Sequence, residues 1–460
     1  MRYDPNHAVS RELSRRGFLT IGGAAGAAAL AGLLSACSTP VVSGLTGSAP
    51  TSADVVFWHL FGGGDGANMT TMVGDVQRAD HLSVESTLLS WGNPYYTKLS
   101  LAASSGNPPD VAISHLSRLP LLARAGLLRP IEDLGVDDVG IVQQNFTPAA
   151  WSKATVAGTT YAVPLDTHPF VLFYNVDLAR KAGLLDKSGR NLEAINGKDD
   201  FIAALKAMKQ ATGHFGAVAS ITADPATNWR LFYMLYSGLA GPIVSDQGTK
   251  LTLDRDALEE TFAFLSSLSN ELKLMPSNST ATTASTLFGS GQAGFLFDGE
   301  WQIPTYRDLK LPDGKPLNFN VVPFPAILGP KATAYADSHS LVFPKASSPS
   351  AKRTRDAVTF VRGLLDRSTI WAGGGHVPAW LPVQKSAAFR KLEPQSNYVQ
   401  AAFDAVYDPP GWYTGAGSDF QIRTGGVVSD VLAGGLSPSA AVGSMADALK
   451  TFTTATPPVR

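Results

Sequence analysis

Charge and cysteine are both scarce in this sequence of 460 residues. Only 16% of the residues are charged and the formal net charge is −1, which excludes a strong general attraction to nucleic acid or to an anionic membrane. A single cysteine, Cys37, leaves no partner for an intrachain disulfide. The eight histidines follow no His-Glu-x-x-His spacing, so the sequence predicts no dedicated metal site and no cofactor. A G-x-S-x-G nucleophile elbow is also absent.

Apolar residues, glycine and proline are abundant instead. Hydrophobic residues make up 44% of the chain, which also contains 44 glycines and 30 prolines. This length and composition predict a loop-rich α/β protein with two sizeable cores.

The N-terminus carries targeting signals. Residues 14–19 read SRRGFL, which is typical of a twin-arginine export signal, and residues 17–36 carry no charge. Residues 34–37 read LSAC, a lipobox that predicts lipidation of Cys37 after removal of residues 1–36. The alternative is an uncleaved transmembrane anchor, since about 20 apolar residues can span a bilayer. Residues 37–53, rich in Ser, Thr and Gly, predict a flexible tether.

From residue 54 onward, strand and helix patterns alternate. Apolar runs at 55–59, 84–88 and 111–115 predict strands, and helical patterns follow them. This alternation is typical of an open, mostly parallel sheet, where ligands bind beyond the strand C-termini. The glycine-rich loop at 62–66 contains neither a Gly-Lys-Ser/Thr sequence nor a G-x-G-x-x-G sequence, so it does not indicate that a nucleotide phosphate binds there.

One polar insert interrupts two strand-like runs, 161–163 and 169–174. It contains Asp166, Thr167 and His168, a carboxylate, a hydroxyl and an imidazole in succession. Asn175 then caps a short helix. We expect a ligand to contact this insert at a crossover between two lobes.

The same stretch shows a family resemblance. The matching positions are Gly158, YAVP at 161–164, Leu172, YN at 174–175, DL at 177–178 and AGL at 182–184. They resemble the crossover segment of the extracytoplasmic solute-binding proteins of carbohydrate ABC importers, the group that includes maltodextrin-binding protein. Residues 293–301 resemble that family's second crossover, residues 338–345 its third, and residues 374–386 one of its loops.

The resemblance implies a two-lobed periplasmic-binding-protein fold (type II). Its central sheets would be mostly parallel, with helices on both faces and a three-crossing hinge. Residues 54–163 and 298–337 are expected to form lobe 1, and residues 164–297 and 338–460 to form lobe 2.

The candidate ligand-binding residues come from segments expected at the cleft. The resemblance assigns to the cleft Trp58, His59, Asp65, His115, Glu300, Trp301, His339 and Trp380. The polar insert adds Asp166, Thr167 and His168, and the region before and within a C-terminal helix adds Trp412 and Arg423. Tryptophan rings pack on the faces of pyranose rings, and carboxylates accept hydrogen bonds from sugar hydroxyls, so this mixture of residues favours a neutral sugar as the ligand.

The predicted function is that of a lipid-anchored, extracytoplasmic substrate-binding protein of an ABC importer. Its expected partners are a carbohydrate, the permease subunits and the membrane through Cys37, and the chain is expected to be a monomer without catalysis. A glycerophosphodiester or sugar-phosphate receptor is the alternative, and it needs two or more basic cleft residues, of which Arg423 is one candidate. A secreted glycoside hydrolase, using Asp166 and Glu300 as paired carboxylates, is the third possibility.

Overall fold

The computed structural model describes residues 51–348 and 350–457, so the export signal and Cys37 lie outside the described residues. The strands are β1 (Val55–His59), β2 (Val84–Leu88), β3 (Val111–His115), β4 (Thr155–Val156), β5 (Thr159–Thr160), β6 (Ala162–Pro164), β7 (Asp166–Asn175), β8 (Phe215–Ala219), β9 (Val244–Ser245), β10 (Lys250–Leu251), β11 (Ala293–Gly299), β12 (Phe319–Val322), β13 (Ala334–Asp337), β14 (His339–Val342), β15 (Val377–Pro378) and β16 (Ala405–Val406).

The helices lie between and beyond these strands. They are α1 (Gly63–Asp80), α2 (Asn93–Ser104), α3 (Leu119–Arg124), α4 (Pro148–Ala154), α5 (Val176–Lys181), α6 (Gly197–Thr212), α7 (Pro225–Leu239), α8 (Arg255–Ser266), α9 (Ala281–Gly289), α10 (Ile303–Arg307), α11 (Ala351–Asp366), α12 (Ser368–Ala372), α13 (Leu381–Gln384), α14 (Ala387–Arg390), α15 (Val399–Phe403), α16 (Asp419–Leu432) and α17 (Pro438–Thr453). In the described ranges, no helix is both long and apolar enough to cross a membrane.

Two sheets form the centres of the two lobes, as the α/β two-lobed prediction requires. The first has the strand order β2-β1-β3-β14-β6, in which β1 pairs in parallel with β2 and β3 while β14 runs antiparallel to its neighbours. The second follows the order β16-β13-β7-β11-β8, and β12 and β15 also pair with β7. The sheets are therefore less parallel than the sequence predicted: among the described strands, antiparallel pairs are as common as parallel pairs in the first sheet and more common in the second. The reason is that strands that return from the other lobe enter each sheet in the opposite direction.

Strand β7 is the centre of the second sheet. All ten of its residues are buried, and it pairs with β11, β12, β13 and β15. The predicted cap at Asn175 is present, since its Oδ1 accepts a hydrogen bond from the Leu178 N–H at 3.0 Å. The three polar residues of the insert therefore form the first part of this fully buried strand.

The chain passes between the sheets at two single residues. Leu165 separates β6 from β7, and Ser338 separates β13 from β14. A third passage follows Val383, which packs in the first-lobe core, whereas Phe389 packs against the second sheet.

These passages differ from the expected lobe boundaries. Residues 298–337 were expected in lobe 1, but β12 and β13 pair with β7 in the second sheet. Residues 338–460 were expected in lobe 2, but β14 pairs with β3, and α11 packs on α1 in the first lobe. The reason is that the antiparallel pairing of β12 with β7 holds the chain in the second lobe after β11, so it crosses later than the sequence motif indicated.

Candidate functional site

A cavity of about 490 Å³ lies between the two lobes, a volume typical of small-molecule sites. The segments of the first lobe and the inter-lobe loop before β15 contribute Phe61, Asp65, Trp91, His115, His339 and His376. The second sheet and its helices contribute His168, Asp224, Thr227, Arg230 and Trp301. Another depression, of about 460 Å³, lies on the outer side of the first lobe, away from the crossings.

Strand pairing places three histidines side by side at the base of this cavity. His115 ends β3 and is the direct antiparallel partner of His339, the first residue of β14. The His168 ring stacks on that of His339, with ring centroids 4.2 Å apart and planes 29° apart, and the centroid of His115 lies 4.8 Å from that of His339. The Nδ1 of His115 is 2.7 Å from the Tyr96 hydroxyl, which fixes the orientation of the ring.

The Asp166 carboxylate lies beneath these rings and is fully buried. Its Oδ1 accepts hydrogen bonds from the His339 backbone N–H at 2.8 Å and from His168 Nδ1 at 3.1 Å. Its Oδ2 accepts from Trp371 Nε1 at 2.6 Å and from His339 Nδ1 at 2.7 Å. Burial alone would raise the pKa of Asp166, but the two histidines hold it well below its usual range. Burial lowers the pKa of His168 to about 3.

A fourth histidine, His376, lies between three carboxylates. Its Nε2 is 3.0 Å from Asp65 Oδ1, while its Nδ1 is 2.7 Å from Glu300 Oε1 and 3.3 Å from Asp166 Oδ2. Burial would lower the pKa of His376, but the charges of Asp65 and Glu300 raise it well above its usual value. Burial raises the pKa of Glu300 to about 7. The cavity floor is therefore a connected set of imidazoles and carboxylates.

Two tryptophans from opposite lobes border the cavity. Trp91 follows β2 and is 48% exposed, and Trp301 follows β11. The guanidinium of Arg230, on α7, lies 5.1 Å from the centroid of the Trp301 ring. Asp224 and Thr227 stand at the start of the same helix, where the Asp224 side chain accepts hydrogen bonds from Thr227.

The structure brings together seven of the residues expected from sequence. Those that line the cavity are Asp65, His115, His168, Trp301 and His339. Asp166 and Glu300 lie directly beneath it and are fully buried. Asp166 was expected to contact a ligand directly, but its side chain does not reach the cavity surface. Its four acceptor positions are already occupied by the protein.

Six other expected residues lie away from the cavity lining. Trp58 is buried in the first-lobe core with the Lys98 ammonium 5.1 Å from its ring centroid, and Trp380 is buried in the same core. The buried ring of His59 accepts a hydrogen bond from the Phe61 N–H at 3.2 Å through its Nδ1. Trp58 and His59 are consecutive on β1 and point to opposite faces of the sheet, and both are buried because protein covers β1 on both faces.

The second-lobe candidates behave similarly. Thr167 is fully buried on β7, and Trp412 packs against the second-lobe core. Arg423 is exposed on α16, where its guanidinium lies 6.0 Å from the centroid of the Phe452 ring. A position near a helix terminus therefore did not bring Trp412 or Arg423 to the cleft.

Several lining residues were missed from sequence, namely Trp91, Asp224, Arg230 and His376. Trp91 follows the second parallel strand, so the rule that ligands bind beyond strand C-termini could have identified it. No local pattern marks Arg230, and the resemblance of residues 374–386 to a family loop led to Trp380 and not to His376. The eight histidines are far apart in the sequence, so their spacing did not indicate that four of them lie together at this cavity.

The family model for bacterial extracellular solute-binding proteins matches residues 91–393. The chain belongs to this family. The resemblance inferred from the crossover motif is thereby confirmed. The match includes Trp91, the polar insert, Trp301 and the loop that carries His376.

Curated relatives are distant in sequence. A maltodextrin-binding protein, MdxE, of Bacillus subtilis is 26% identical over 52% of each chain, so the chain matches about half the length of that relative. A maltooligosaccharide ABC transporter solute-binding lipoprotein of Streptococcus pneumoniae is 24% identical over 68% of this chain and 72% of its own. A diacetylchitobiose binding protein, DasA, of Streptomyces coelicolor is 23% identical over 62% and 64%.

Solved structures confirm the two-lobed fold. The GacH receptor of Streptomyces glaucescens superposes with a TM-score of 0.70 at 19% identity, covering 87% of this chain and 98% of that receptor. The sugar-binding protein MalE of Xanthomonas citri gives a TM-score of 0.70 at 18% identity, covering 87% and 97%.

Proposed function

We propose that this chain is the extracytoplasmic solute-binding component of an ABC importer and captures a neutral sugar or oligosaccharide between its lobes. The observation that carries the proposal is the pairing of Trp91 and Trp301, from opposite lobes, across a cavity lined by hydrogen-bonding groups. Aromatic faces pack on the C–H faces of pyranose rings, while imidazoles and carboxylates bind their hydroxyls. The names of the relatives, which describe maltodextrin, maltooligosaccharide and diacetylchitobiose binding, point in the same direction.

The charges around the cavity favour a neutral ligand over a phosphorylated one. Among the described residues, Arg230 is the one Lys or Arg side chain in the lining of this cavity, and the lining also contains the carboxylates of Asp65 and Asp224. A phosphate receptor needs several cationic donors, and two facing carboxylates oppose an anion. Arg423, the basic residue suggested from sequence, lies elsewhere.

The absence of enzymatic activity is also part of the proposal. A glycosidase needs one carboxyl group free to protonate the leaving group and a second free to attack or to activate water. Asp166 accepts four hydrogen bonds from the protein and Glu300 is fully buried beside His376. Their positions support binding without turnover.

We further propose that Cys37 is lipidated, that the mature chain is a monomer tethered to the outer face of the cell membrane, and that closure of the two lobes presents the ligand to the permease. These proposals rest on the lipobox and the export signal, and on the crossings at Leu165 and Ser338.

Titration calorimetry with a panel of maltooligosaccharides, chitooligosaccharides and sugar phosphates, at low and high salt, tests the ligand class. We expect a neutral sugar to bind with an affinity that changes little with salt, because no ionic contact is formed. Binding restricted to phosphorylated sugars, with an affinity that falls steeply with salt, would favour the phosphate receptor. Release of shortened sugars from the same mixtures would favour the hydrolase.

A further inference from the structure

Four buried side chains at the cavity floor have the composition of a metal site. One carboxylate oxygen of Asp166 and one nitrogen each of His168, His339 and His376 lie within 4.8 Å of one another. Asp166 Oδ2 lies 2.7 Å from His339 Nδ1 and 3.3 Å from His376 Nδ1, and the other oxygen, Oδ1, lies 3.1 Å from His168 Nδ1. In a tetrahedral zinc site with bonds of about 2.0–2.1 Å, neighbouring ligand atoms are about 3.3 Å apart. The contacts to the carboxylate are close to this spacing, and the other donor pairs, which lie within 4.8 Å of one another, need only a small inward shift to surround one ion.

A second, independent observation is an unsatisfied pair of atoms at the same place. His376 Nδ1 and Glu300 Oε1 are buried 2.7 Å apart, yet neither makes a hydrogen bond with any described residue. The His376 ring lies between Asp65 on its Nε2 side and Glu300 and Asp166 on its Nδ1 side, so the Nδ1 position faces two carboxylates at once. Buried carboxylates in this arrangement need a positive charge between them, which either the Nδ1 proton of His376 or a metal ion can supply.

We propose that a divalent transition-metal ion of the zinc class binds at this point, with Asp166, His168, His339 and His376 as its ligands and Glu300 beside it. The ion takes the position of the two imidazole protons that now lie between Asp166 and the His168 and His339 nitrogens. Each of those imidazoles then carries its single proton on Nε2, and the proton on His376 Nδ1 leaves to solvent as the ion binds. This inference opposes the expectation, drawn from histidine spacing alone, that no metal site exists.

The surroundings of the four ligands match those of bound metals. Metal-binding histidines usually donate their second ring N–H to a carboxylate, as His376 does toward Asp65. Trp371 Nε1 and the His339 backbone N–H hold the Asp166 carboxylate in place through hydrogen bonds. Such outer contacts fix the direction of each ligand before the ion arrives.

The donor set also selects the class of ion. Imidazole nitrogens suit Zn²⁺ and its neighbours, whereas Mg²⁺ and Ca²⁺ prefer a shell of oxygens. Asp166 and Glu300 together supply two negative charges opposite a divalent cation. His168, His339 and His376 also border the cavity, which provides a path for entry.

The proposal does not depend on which solute fills the cleft, so its test is separate from the sugar screen. The whole chain, purified without a polyhistidine tag and stripped with EDTA, is titrated with Zn²⁺ in the calorimeter, and its zinc content is measured by mass spectrometry after desalting. We expect one equivalent to bind. Mg²⁺ should give no binding heat and should not displace Zn²⁺.

Matched variants locate the site. We expect His376→Gln and His168→Gln each to weaken zinc binding by at least a hundredfold, whereas His214→Gln, at an exposed position outside the cavity, leaves it unchanged. Asp65→Asn changes the carboxylate that orients His376 but leaves all four proposed metal ligands in place, and we expect it to weaken zinc binding 10- to 100-fold. Circular dichroism of each variant verifies folding. Absence of zinc binding in the wild type, or an unchanged affinity in a folded His376→Gln or Asp65→Asn variant, would overturn the proposal.

Discussion

Asp166→Asn is the substitution whose effect follows most directly from the structure. The change keeps the shape of the side chain but replaces one carboxylate oxygen with an NH₂ group. Each Asp166 oxygen accepts two hydrogen bonds, from His168 and the His339 backbone N–H on one side and from His339 and Trp371 on the other. Either orientation of the amide therefore turns a donor toward two donors.

The magnitude follows from burial. A hydrogen bond to a charged group contributes about 1.5–3 kcal/mol, and breaking a buried charged network costs about 3–5 kcal/mol. We expect Asp166→Asn to lower the free energy of unfolding by about 3–5 kcal/mol at neutral pH. Because the pKa of Asp166 is held below its ordinary value, this contribution is fully present above the unfolded-state pKa. It disappears only as the pH falls through the lower, folded-state value.

Urea denaturation followed by circular dichroism, in EDTA so that no bound cation contributes, measures this difference. Asp313→Asn is the control, because Asp313 is an exposed carboxylate that contacts only nearby Lys315 and should change stability by less than about 0.5 kcal/mol. A loss below about 1 kcal/mol in Asp166→Asn would show that the four hydrogen bonds do not hold the crossing segments together.

Three further outcomes are expected. Trp301→Ala should weaken sugar binding by about 2 kcal/mol or more, about 30-fold, as measured by calorimetry. Trp412→Ala, outside the cavity, should change the affinity by no more than about twofold. Equal losses in the two variants would refute the placement of Trp301 in the sugar site. Glu300 has its pKa raised by burial from 4.5 to about 7, so the folded state binds the extra proton and stability should fall as the pH rises through that window, by up to about 3 kcal/mol. In metal-free protein Glu300→Gln should flatten that slope, and a slope equal to the wild type would contradict the assignment. Cys37→Ala should move the protein from the membrane fraction to the soluble one, and retention in the membrane fraction would instead support an uncleaved anchor.

The sequence by itself determined the fold class, because its signals are local. Alternating strand and helix patterns, the buried run of β7 and the cap at Asn175 each depend on residues within a few positions of one another. The crossover motif extended this to a family, and the family model agrees with it. The polar insert and the segment ending at Trp301 each contribute one side chain, His168 and Trp301, to the lining of the cavity.

The tertiary structure decided which side chains meet. His115 and His339 are 224 positions apart and become neighbours only because β3 pairs with β14. His376 approaches Asp65 and Glu300 from a loop whose sequence resembles a family loop but does not indicate these contacts. Trp58 and Trp412 were expected in the cleft but pack against the cores, since a tryptophan at the end of a strand or helix can fill a core as well as line a cleft. Contacts across such separations depend on strand register and on where the chain crosses between lobes. Short-range sequence patterns do not encode either of them.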